Sequence, residues 1–142
     1  MKSLPLRAVA IAMLIIALGA CVTDSKMEVL ATDKSQVQLR ALQTRVFETT
    51  NKGLTIRNVL ATLQDLGFVV DKVDESLGTV SGPKLSGYAM RITVTVRAWG
   101  SSQTAVRASA QYNLQAVSDP QPYQQFFAAL EKAMFLTAQQ ID

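Results

Sequence analysis

Polar and apolar positions alternate most clearly over residues 88–114. Tyr88, Met90, Ile92, Val94, Val96 and Ala98 alternate with Ala89, Arg91, Thr93, Thr95, Arg97 and Trp99; Val106, Ala108, Ala110, Tyr112 and Leu114 then alternate with Arg107, Ser109, Gln111 and Asn113. A period of two predicts two strands with one core face and one polar face each. A three-residue loop, Gly100-Ser101-Ser102, keeps the two apolar sets on one side when the strands pair; a two-residue loop would set them against each other.

Helical periods flank this pair. Between Lys52 and Leu66 the residues Ile56, Val59, Leu60 and Leu63 form one stripe, with Thr50 or Asn51 as the cap before it and Gly67 as the left-handed cap after it. After Asp119-Pro120, Tyr123, Phe126, Phe127, Leu130 and Met134 repeat at helical spacing to near Ala138. Phe135 and Leu136 point away from that stripe; they are expected to pack on a sheet edge, the alternative being that they stay available to a partner. Leu42–Glu48 is rich in β-formers, Phe68–Val73 reads as a second strand, and Thr79–Ser81 as a short third one after the turn 74–78. The order is strand, helix, four strands, helix. It predicts an α+β fold, a two-layer β-α-β4-α domain whose mostly antiparallel sheet carries both helices on one face, because each helix has one stripe to bury and the sheet one face to cover.

The first twenty residues have a different pattern. Lys2 and Arg7 precede Ala8–Ala20, thirteen residues with no charge. A helix needs about twenty apolar residues to cross a bilayer, so this run reads as the hydrophobic region of a secretory signal. It ends in Leu18-Gly19-Ala20-Cys21, which resembles the lipobox of bacterial lipoprotein signal peptides. The resemblance implies cleavage before Cys21, a diacylglyceryl group on its thiol, and a chain anchored to the membrane through that lipid. Two or three acyl chains hold stably where one holds marginally. Val22 stands where inner-membrane retention usually shows aspartate, so the same resemblance points to the outer membrane, facing the periplasm. Residues 1–20 are thus expected to be the signal, 21–38 a lipidated cysteine and polar tether reaching about 20 to 25 Å as a coil, and 39–142 a single domain.

Composition narrows the chemistry. The chain has 142 residues, no histidine and one cysteine. Imidazole-based nucleophile systems, imidazole metal sites, internal disulfides and cysteine zinc clusters are all excluded. Lys2 and Arg7 would leave with the signal, which removes most of the formal charge of +3. The remaining basic residues are scattered, so no nucleic-acid partner is expected.

Candidate sites are few. Asp71, Asp74 and Glu75 cluster but read as a solvated turn rather than a metal site. Ser81-Gly82-Pro83-Lys84-Leu85-Ser86-Gly87 lacks the spacing of a phosphate loop and reads as a surface loop. A serine–lysine dyad of Ser81 or Ser86 with Lys84 exists only on paper, and Asp65 and Glu131 have no partner in sequence for acid–base work. No enzymatic activity, cofactor or metal is expected. The outward sheet face, with Arg91, Thr93, Thr95, Arg97, Trp99 and Arg107, is the candidate interaction face, since tryptophan and arginine are enriched at interface hot spots.

The element order is similar to helix-grip and TATA-binding-protein-like domains, including those in lipoproteins of the outer-membrane barrel-assembly machinery. The segments Gln43–Thr50, Val59–Phe68 and Tyr123–Phe127 resemble a family of uncharacterised proteobacterial outer-membrane lipoproteins. That resemblance implies an exported lipoprotein and carries over no catalytic residue. Two functions follow as expectations: a non-enzymatic accessory lipoprotein docking on an envelope assembly such as barrel insertion, secretion or efflux machinery, or a carrier of an apolar ligand. For the carrier, small Ala98, Ala108 and Ala110 would leave room between helices and sheet; the same residues would equally let Phe126 and Phe127 sit close to it.

Overall fold

The computed structural model describes residues 35–84, 86 and 90–139. Helix α1 covers residues 35–43, followed by β1 (Thr44–Phe47), α2 (Lys52–Asp65), β2 (Lys72–Asp74), β3 (Thr79–Lys84), β4 (Met90–Trp99), β5 (Gln103–Tyr112), β6 (Gln115–Ala116) and α3 (Pro120–Gln139). The fold is α+β, with a mostly antiparallel sheet in the order β1-β5-β4-β3-β2. β4 pairs with β5 along all ten residues, so β6 shares the other edge of β5 with β1.

The loop between β4 and β5 holds Gly100, Ser101 and Ser102, and Gly100 has φ +61°. Trp99 therefore pairs with Gln103, and Val96, Val94 and Ile92 lie opposite Val106, Ala108 and Ala110. These residues are buried with Val80, with Ile56, Val59 and Leu63 of α2, and with Tyr123, Phe126, Phe127 and Leu130 of α3. One sheet face and two helical stripes thus share one core, which removes all of them from water together.

The ends of α2 follow directly from local chemistry. Asn51 Oδ1 accepts the Leu54 N–H at 2.9 Å, which satisfies a donor with no partner inside the helix. At the other end Phe68 N–H reaches Leu63 O and Gly67 N–H reaches Gln64 O, while Gly67 takes φ +83°. That is a Schellman cap, and it delivers Phe68 into the core.

Several boundaries differ from the sequence reading. Residues 35–38, read as the end of a flexible tether, are helical, and Leu42 and Gln43, read as strand, close the same helix. Leucine, arginine, alanine and glutamine over 38–43 favour helix more than Val46 and Phe47 favour extending a strand backward. Residues 82–84, read as surface loop, extend the strand read over Thr79–Ser81 into the longer β3. There Gly82 is required by close approach: a Cβ would stand 2.2 Å from the Val69 carbonyl oxygen. Pro83 next to it offers no N–H, so residues 68–71 run beside β3 through Val69 N–H to Pro83 O and Asp71 N–H to Ser81 O, and regular pairing starts only at Lys72.

Ala98 and Leu114, both placed on the core face by alternation, are exposed. At Leu114 the strand has already ended, because Asn113 turns at φ 55° and Tyr112 pairs back to Gln115. Phe135 and Leu136, expected on a sheet edge, are 63% and 53% exposed; Phe135 stands beside an open hollow at the end of β1 instead of packing on a strand. Leu85 and Tyr88–Ala89 lie outside the described residues, as do Leu18, Gly19, Ala20 and the proposed lipidation site Cys21.

Candidate functional site

The outward sheet face is built by register. Across the strands, Thr44, Arg107, Thr95, Thr79 and Asp74 form one row; Ser109, Thr93, Ser81 and Lys72 form the next; Gln111, Arg91 and Pro83 form a third. On the other side of the first row, Val46, Ala105 and Arg97 lie together, followed by Gln103 and Trp99. All six residues of the expected interaction face therefore share one side of two adjacent strands. Helices α2 and α3 belong to the core beneath the opposite face, and Gln43 at the end of α1 meets this one at Arg107.

Its chemistry is less basic than a count of arginines implies. Arg91 forms a bidentate ion pair with Asp71, and its Nη1 lies 3.0 Å from Asp71 Oδ1 and 3.5 Å from the Ser81 hydroxyl. The hydrogen bond and charge of Arg91 hold the Asp71 carboxyl below the usual carboxylate range, and Asp71 in turn raises Arg91. Arg97 lies over the Trp99 ring at 5.7 Å from its centroid. Arg107 donates to neutral Gln43 Oε1 at 3.4 Å. Arg97 and Arg107 stand on the same face as Trp99, which is 48% exposed, and as half-buried Thr93, Thr95, Thr79 and Ser109. Such a surface offers hydroxyl donors and acceptors in a flat array, two cations and one aromatic rim.

The Asp71–Arg91 pair gives a testable pH dependence. The folded-state pKa of Asp71 is lowered, so the pair stabilises at neutral pH, and that contribution is lost as pH falls through the carboxylate range. Asp71→Asn should lower the melting temperature slightly at pH 7 in low salt, and the difference from the native chain should shrink as the pH falls below the usual carboxylate range. Paired thermal melts at neutral and acid pH read this directly; an undiminished difference in acid would assign the effect to packing.

The other candidate groups are engaged in structure. Asp74 Oδ1 accepts the Ser76 hydroxyl at 2.6 Å and the Leu77 N–H at 3.0 Å, closing the turn before β3, and these bonds lower its pKa. Among the described residues, no three His, Cys, Asp or Glu side chains converge to hold a metal ion. Ser81 lies opposite Thr93 on the outward face, whereas Lys84 lies opposite Met90 on the inward one, with its amine 5.4 Å from the Phe68 ring centroid. The strand thus separates Ser81 from Lys84.

Two surface hollows stand out among the described residues. One, of about 250 Å³, lies between the start of α3 and the sheet, beside Phe68, Lys84, Met90 and Tyr112. The other, of about 360 Å³, lies where α2, α3 and the end of β1 meet, and is lined by Phe47, Leu54, Met134 and Phe135 with Glu48 and Glu131. Sequence reasoning missed the second, because its walls join residues 47–58 to residues 131–135, far away in the chain; the exposed Phe135 was the one legible signal. Neither hollow is lined by Ala98, Ala108 or Ala110.

Comparison of the chain with protein-family models and with curated proteins gives no match.

Proposed function

We propose that this chain is a non-enzymatic accessory lipoprotein of the bacterial cell envelope, anchored through Cys21 to the periplasmic side of the outer membrane and docking on a larger envelope assembly. The observation that carries this reading is the division of labour between the two faces of the sheet. The inner face is filled by aliphatic and aromatic side chains, and Ala108 and Ala110, which a carrier would use to leave space, are fully buried among them. Among the described residues, the outer face presents exposed Arg97, Trp99 and Arg107 on a hydroxyl-rich strand pair. Rigid elements carrying exposed aromatic and arginine side chains suit protein recognition, because little conformational entropy is lost when they dock. The basic, apolar, Cys-terminated N-terminal pattern adds the anchor.

Native mass spectrometry of the full chain, extracted from its own membranes in mild detergent, tests the reading. The expected result is a stoichiometric complex with another envelope protein. Charge reversal Arg97→Glu should weaken that complex about tenfold while the domain melts as before. A lone chain carrying an apolar molecule beyond its own lipid would instead make the protein a carrier.

A further inference from the structure

The groove between α2, α3 and the end of β1 has a chemistry distinct from the sheet face. Its walls are two helical rows, Leu54–Asn58 on α2 and Glu131–Phe135 on α3, each with four-residue spacing that puts both members on one side. The polar groups that could soften it are already engaged. Asn58 accepts the Thr137 hydroxyl at 3.0 Å and donates to Met134 Sδ at 3.3 Å, while the Thr49 hydroxyl accepts the Asn51 N–H and the Thr49 carbonyl the Thr104 hydroxyl. What remains is apolar surface and two carboxylates. Glu48 accepts a hydrogen bond from Gln103, and neither Glu48 nor Glu131 forms an ion pair among the described residues. Beyond the groove, Leu136 extends the apolar surface along α3.

We infer that this groove takes a basic amphipathic segment of a protein partner, with an apolar side chain seated between Leu54 and Phe135 and lysine or arginine residues reaching Glu48 and Glu131. Charge complementarity selects the occupant: the groove's uncompensated groups are all negative and all acceptors, so the fitting segment is apolar on one row and cationic beside it. The same carboxylates repel an anionic lipid surface. A volume of about 360 Å³ is near the lower limit for small-molecule sites, and the apolar ridge running on to Leu136 suits a longer, peptide-like ligand. The inference rests on the docking reading above and adds a second surface and the chemistry of its partner.

The test uses the full lipidated chain in its own membranes, with a photoreactive phenylalanine analogue in place of Leu136 or, separately, of Arg97. Illumination at position 136 should join the chain to a protein segment that carries lysine or arginine among apolar residues at helical spacing. Combining Glu48→Lys with Glu131→Lys should cut that adduct about tenfold, since the reversal turns two attractions into repulsions. Glu48→Gln with Glu131→Gln should reduce it less, and both pairs lie on exposed positions where folding is checked by melting. The inference is overturned by an adduct whose linked segment is acidic, by linkage to lipid or to a second copy of this chain, or by a yield indifferent to charge reversal. Linkage from position 97 alone removes the groove and leaves the docking function standing. No protein adduct from either position overturns both.

Discussion

Tyr123→Phe is expected to destabilise the domain by about 3 kcal/mol, an unusually large effect for the removal of one oxygen atom. The Tyr123 ring is 1% exposed, and its hydroxyl stands at the gap in the β5 edge between β1 and β6. It donates to Val117 O at 2.7 Å, and lies 3.3 Å from the Ala110 N–H and 3.2 Å from Gln43 Nε2, both of which donate to it. One side chain thereby supplies the hydrogen bonds that a strand would otherwise supply and ties α1, β5 and the start of α3 together. Phenylalanine preserves the packing but leaves two donors and one acceptor buried without that partner, and each such group costs about 1 to 3 kcal/mol. Urea denaturation should show a lower midpoint at unchanged slope. A loss below about 0.5 kcal/mol would mean that water takes the hydroxyl's place.

Ala108→Leu is expected to cost about 2 to 3 kcal/mol, and this result bears on function as well as on packing. Ala108 is fully buried opposite Val94, in the same cluster as Phe126 and Phe127. In a filled core three added carbons force neighbouring side chains from their rotamers. In a carrier the same carbons would enter the ligand's space and leave stability unchanged or raised. Thermal and urea unfolding of the variant distinguish the two, and a neutral outcome would revive the carrier function.

Much of the architecture was readable where a periodic pattern met a strong local signal. Asn51 before the stripe of Ile56, Val59 and Leu63, and Gly67 after it, located both ends of α2, because capping needs only residues adjacent in the chain. The parity of β4 and β5 located their three-residue loop, since a one-residue slip would have turned every apolar side chain to water. Alternation failed at the strand ends: Ala98 keeps its side of the strand but is exposed, and Leu114 follows a turn that Asn113 makes. It failed too at Phe135 and Leu136, whose surroundings are set by elements roughly ninety residues away.

The candidate surfaces divide in the same way. That Arg91, Thr93, Thr95, Arg97, Trp99 and Arg107 share one face follows from the period of two and the loop parity, so the sequence by itself determined it. The sequence also determined the α+β class, the two amphipathic helices and the single shared core, because hydrophobic periodicity is a local property that burial then enforces. Only the tertiary structure decided that Asp71 neutralises Arg91, that Tyr123 bridges the β5 edge, and that Phe47, Leu54 and Phe135 meet around an acid-rimmed groove. Each of these depends on at least one contact between residues 13 to about 90 positions apart, and such contacts are chosen by how whole elements pack against one another, which no local pattern encodes.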